Sequence, residues 1–113
     1  MNTKDNKQNR ILIAGTMAFD EIITQSASSG RVIGGAATYI SYSSSFFTKN
    51  IYVSSIIGND FPLSFLNEMN SKGISTEMIE IAKKEKSFFW KGEYKKKKED
   101  EKKQINIHLI INV

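Results

Sequence analysis

In "RVIGGAATYI" the pair Gly34-Gly35 opens a helical stretch directly after a short strand-like run. Glycine at such a junction lets backbone N–H groups come close to a ligand, and a helix N-terminus favours polar or anionic groups. A tight turn explains the same pair with no ligand, and both readings stand at this point. Phe88, Phe89 and Trp90 in "KSFFWKGEY" offer a base-stacking platform on one reading and half-buried strand packing on the other. Asp60, ahead of Pro62 in "NDFPLSFLNEMNSKG", suits a helix N-cap, with the proline in the first turn where a missing N–H does no harm. His108 is the one histidine, and cysteine is absent. Neither a histidine-centred triad nor a His or thiolate metal cluster can be assembled from such a set, and no disulfide framework exists.

These residues need elements to hold them. "RILIAGT" places Ile11 to Ala14 in an unbroken apolar run ended by Gly15, which reads as a strand buried on both faces in a parallel sheet. Short strands are expected at Glu21–Thr24 and Arg31–Ile33, around a Ser/Gly turn. A helix is expected over 35–48, with Ala36, Ile40 and Phe47 on its inner face. "NIYVSSIIG" reads as a strand ending at Gly58. The next helix carries Phe61, Phe65, Leu66 and Met69 as its apolar stripe and stops at Gly73. "TEMIEI" and "KSFFWKGEY" are two more strands. The order predicts a parallel sheet with right-handed crossovers and an accessory β element.

Composition sets wide limits. At 113 residues, 40% hydrophobic and 25% charged, the chain has the make-up of one ordinary globular domain. Its net charge of +4 comes mostly from the lysines between 95 and 103, partly cancelled by Glu99, Asp100 and Glu101. A small basic module for nucleic acid or another acidic partner is the alternative this segment raises, although nucleic acid is not the favoured partner. No apolar run is long enough to span a bilayer, the N-terminus lacks the apolar core of a signal peptide, and a cytoplasmic location is expected.

The stretch "GGAATYISYSSSFFTKNIYVSSIIGND" resembles the N-terminal signature of the ribokinase-like, or PfkB, family of carbohydrate and nucleoside kinases. Gly34, Gly35, Ala37, Ser41 and Gly58 stand at the signature's spacings. "ILIAGTMAFD" resembles the family's opening strand, glycine and aspartate, here Gly15 and Asp20. "GND" at 58–60 resembles its G-x-D, and "LNEMNSKGIST" its leucine-bearing helix. The resemblance covers about residues 11–94. It implies an α/β, ribokinase-like fold: a partial parallel sheet with flanking helices plus a small β lid element. It further implies a substrate site for a sugar or nucleoside. There Asp20 would accept hydrogen bonds from substrate hydroxyls, and Gly34 and Gly35 would let the chain pass closely over the ligand. Tyr39 stands where the family carries a sugar-binding asparagine.

Family members transfer the γ-phosphoryl of ATP, usually with Mg²⁺, using an aspartate base in a later Gly-Ala-Gly-Asp motif. No glycine follows Gly92 in this chain. The expectation is therefore the N-terminal portion of a kinase, with no catalytic residue, cofactor or metal site of its own, and with a separate C-terminal half as a candidate partner. Residues 1–10 read as a polar tail and 95–113 as a basic, disordered one. "KKKK" is encoded by adenine-rich codons where reading frames slip, so the last segment is further expected to be out of frame; the same DNA translated one base off tests this. "INIHLIINV" within it is β-prone and uncharged apart from its histidine.

Overall fold

The computed structural model describes residues 9–94 in full and the backbone of 95–96 and 103–110. The described strands form two sheets. The first is parallel: β1 (Ile11–Ala14) pairs with β4 (Ile51–Gly58) along Ile11↔Ile51 to Ala14↔Ser54. β5 (Ile74–Ser75) pairs with the start of β4, and β6 (Ile79–Ala82) pairs with its end. The second sheet runs in the order β3-β2-β7-β8. It consists of β2 (Ala18–Ile23), β3 (Val32–Gly34), β7 (Phe88–Lys96) and β8 (Lys103–Ile110). β2 is antiparallel to β3 and parallel to β7, and β7 is antiparallel to β8. This is the accessory lid element expected from the sequence.

Helices α1 (Ala36–Ser45) and α2 (Leu63–Ser71) cover one face of the parallel sheet. Ala37 of α1 and Met69 of α2 share a core with Ile13, Ile51, Val53, Ile57 and Ile74, all nearly sealed from solvent. Each of these side chains except that of Ala37 contributes about 1.5–3 kcal/mol of burial. Phe61 joins the core from the β4–α2 connection and packs on Phe19 of the lid sheet, ring centroids 5.6 Å apart.

Several expectations are corrected here. In β1 only Ile13 is buried: Leu12 is on the face that the helices leave uncovered, and Ile11, on the face of Ile13, is exposed at the strand's first position. α1 ends at Ser45 and turns Ala37, Thr38 and Ser41 inward. Ile40 is half exposed and Phe47 almost wholly so. Small residues face the sheet because the helix lies close to it, and Thr38 and Ser41 satisfy their hydroxyls on Gly34 O and Thr38 O within the same helical turn. β2 begins three residues earlier than predicted. Asp60 does not cap α2, whose N-cap position is Pro62. The end of β7 and the whole of β8 fall in the basic segment, where its β-prone run pairs with the aromatic strand. Residues 97–102 lie outside the described residues, as do 1–8 and 111–113.

Candidate substrate site

A cavity of about 380 Å³ opens where the lid sheet meets the start of α1. Thr16, Ala18, Asp20, Gly35, Phe88, Phe89 and Trp90 line it. Strand alternation places Ala18 and Asp20 on one face of β2, and the register β2↔β7 sets Phe88 opposite Ala18 and Trp90 opposite Asp20. One carboxylate therefore stands beside an aromatic wall. Trp90 is held flat by its own strand: its indole lies over Gly92, in the space a side chain there would need.

Asp20 is fixed from two sides. The Gly35 N–H donates to its carboxylate, and the carboxylate lies directly over Gly34. Partial burial is the larger influence and pushes the Asp20 pKa up, while the Gly35 hydrogen bond pulls the other way. Tyr39, in the first turn of α1, brings its hydroxyl to the same spot, 3.2 Å from where a β-carbon on Gly34 would sit. Tyr39 as a whole is 58% exposed. So Asp20, Gly34, Gly35 and Tyr39 converge on one rim, with Asp20 and Gly35 lining the cavity itself.

The amides at the head of α1 are engaged by the chain's own groups. Gly35 adopts φ +94, a left-handed conformation that glycine tolerates, and a β-carbon there would stand 2.5 Å from Thr16 O. Thr16 O accepts from the Ala37 N–H at 2.9 Å, and Thr16 Oγ1 from the Ala36 N–H at 3.4 Å. With Gly35 N–H on Asp20, this helix start does not fit a nucleotide's phosphates. Among the described residues no group of three His, Cys, Asp or Glu side chains could hold a metal ion. No described helix is long and apolar enough to cross a membrane.

Thr16 and Ala18 were not singled out by sequence reasoning. Thr16 sits in the β1–β2 connection and Ala18 opens β2, and nothing local marks either. Phe88 and Trp90 are half-buried in a strand, as the packing reading expected, and they also line the cavity.

A parallel sheet roofed by two helices, with a second sheet closing over an acid beside a Gly-Gly helix start, defines an α/β domain of the ribokinase-like fold. Solved structures agree. Ribokinase from Cryptococcus neoformans var. grubii serotype A, in complex with ADP, aligns with a TM-score of 0.62 at 20% identity, over 88% of this chain and 34% of its own. Burkholderia thailandensis nucleoside kinase, in complex with inosine, gives 0.67 at 20% identity, over 87% and 35%. A sugar kinase from Pyrococcus horikoshii gives 0.65 at 20% identity, over 91% and 36%. The chain thus spans about a third of the length of the solved structures it matches. No protein-family model matches it, and no curated protein does.

Proposed function

We propose that this chain forms the substrate-binding portion and lid of a ribokinase-like sugar or nucleoside kinase. The carrying observation is the Asp20 carboxylate, held by the Gly35 N–H at the rim of a cavity walled by Phe88 and Trp90. Both oxygens of an ionised carboxylate accept hydrogen bonds, which suits neighbouring hydroxyls on a sugar ring. The indole offers the flat apolar surface that a ribose face or a base needs. Tyr39, in place of the family's asparagine, supplies a hydroxyl able to donate and accept.

On this reading the chain binds and orients, and phosphoryl transfer waits on groups it does not carry. Such transfer needs a base and donors for the developing charge. Those groups, with ATP and Mg²⁺, would come from a separate C-terminal half. The uncovered face of the parallel sheet supports that partner: Leu12 is 61% exposed and Ile56 49%, where an all-parallel sheet is ordinarily covered on both sides. A cytoplasmic setting, with a small-molecule substrate and no nucleic acid, belongs to the same proposal.

Calorimetric titration of the purified chain with ribose and with inosine tests the binding claim. Saturable binding of either one, weakened at least about tenfold by Asp20→Asn, is the expected result. No binding of either, or binding indifferent to Asp20, overturns it. Co-expression with the C-terminal two-thirds of a ribokinase-like kinase, followed by an ATP-consumption assay, tests the partner.

A further inference from the structure

The "GND" segment at the end of β4 is the seat of the lid. After β6 the chain returns past β4 so closely that a β-carbon on Gly58 would run into the backbone of Lys86 and Ser87, with Glu85 O only 2.6 Å away. Hydrogen bonds fill the contact. Gly58 N–H donates to Ser87 Oγ at 2.8 Å, and Asn59 N–H to Glu85 O at 2.8 Å. Asn59 Nδ2 donates to Lys83 O at 3.1 Å, and Lys86 Nζ to Asn59 Oδ1 at 3.0 Å. Ser87 N–H donates to Asp60 Oδ1 at 2.9 Å. Ser87 is buried, and the next residue, Phe88, begins the strand that carries the cavity's aromatic wall. One step beyond Asp60, Phe61 packs under Phe19 of β2. Four successive residues therefore hold both central strands of the lid sheet, β7 through hydrogen bonds to the connection that leads into it and β2 by a ring.

We infer that Asp60 is a positioning residue: by holding the Ser87 N–H it fixes where β7 enters the lid sheet, and so sets the gap between Trp90 and Asp20. The assignment rests on the reading of that cavity as a substrate site, but its first measurement does not. Trp90 is the sole tryptophan, so its fluorescence reports the wall directly. Breaking the tie lets β7 shift and exposes the indole.

The experiment compares Asp60→Ala, Asp60→Asn and Ser87→Ala with the parent chain, well below the melting temperature of each. Acrylamide quenching of Trp90 is read first, then affinity for ribose and inosine. Asp60→Ala should raise the quenching constant about twofold and weaken binding about tenfold, the scale of a small misplacement at a site. Asp60→Asn keeps an oxygen for the Ser87 N–H and should stay within about twofold of the parent. Should Asp60→Ala not fold, Ser87→Ala, which keeps the backbone N–H on Asp60 but loses the hydroxyl's ties to Gly58 N–H and to the Asp60 carboxylate, must show the same two changes in weaker form. A variant set that melts earlier yet leaves Trp90 quenching and affinity unmoved overturns the inference. So does an Asp60→Asn as damaging as Asp60→Ala, because the hydrogen bond is then not the tie. If the parent chain binds neither compound, the substrate reading falls, while the quenching series still decides the role of Asp60.

Discussion

The Asp20 carboxylate lies over the α-carbon of Gly34, in the space where any other residue would place its β-carbon. The acid and the glycine are one device: the second makes room for the first. Gly34→Ala must push the carboxylate off the Gly35 N–H or shift β3. The expected cost is about 1–3 kcal/mol of stability. Loss of ribose and inosine binding should accompany it. Thermal melts alongside titrations check both, and an alanine variant with unchanged affinity refutes the arrangement.

Asp20 should make the chain less stable as pH rises. Its folded pKa is raised, chiefly by burial, so the folded state holds its proton more tightly than the unfolded state. The favourable contribution is complete below the ordinary carboxylate value of 3.8 and is lost as pH climbs through the raised one. Asp20→Asn should therefore melt higher than the parent near neutrality and should lose this part of the pH dependence. Ligand binding runs the other way, strengthening as the carboxylate ionises. Melting curves for both chains across this range decide the sign.

Asp60 should act in the opposite sense. Burial alone would raise its pKa, but the Ser87 backbone and hydroxyl groups, with Lys86 nearby, outweigh it and hold the carboxyl low. Its stabilisation is present above the ordinary value and disappears as pH falls through the lowered one. In Asp60→Asn the acid-side loss of stability should be shallower than in the parent, as read from denaturant midpoints at successive pH values.

Lys49 ties the two helices together at their C-terminal ends. Its Nζ donates to Ser45 O at the end of α1 and to Lys72 O beyond α2, each at 3.3 Å. A cation at these carbonyls meets the negative ends of both helix dipoles. Lys49→Met keeps the stem packed over Gly73 but removes the charge, and should cost about 0.5–1.5 kcal/mol, screened by salt. A melt at low and high ionic strength measures it.

The outer surface of α1 should drive self-association. α1 has no charged residue, Ile40 is 50% exposed, and Phe46 and Phe47 just past its end are 85% and 90% exposed. A joint Phe46→Ser, Phe47→Ser variant should raise the concentration at which light scattering appears while leaving the melting temperature nearly unchanged, since neither ring touches the core.

The elements were legible wherever a local pattern dictated them. The apolar run at 51–58, the proline-led helix and the Gly-Gly helix start all appear close to their expected places. Long-range pairing was not legible, because nothing near Ala18 or Asp20 announces that β2 will lie beside β7. Asp60 shows the limit sharply. Its type and place two residues before Pro62 are those of an N-cap, yet its carboxylate reaches across the loop to Ser87, because the β6–β7 connection passes closer than the helix start does. The inner face of α1 was misread for a related reason. Helical spacing picks out large apolar residues, whereas this helix lies so near its sheet that only Ala37, Thr38 and Ser41 fit beneath it.

The lid sheet joins strands from opposite ends of the described chain, β2 pairing with β7 in parallel. During synthesis the acid of β2 leaves the ribosome long before its aromatic counterpart exists, and parallel pairing across such a span is slow to nucleate. The cleft between Asp20 and Trp90 thus cannot close until β7 has been made, well after the sequence of both helices and β4. A nascent chain halted before residue 88 would carry Asp20 and both glycines yet have no wall to close against them.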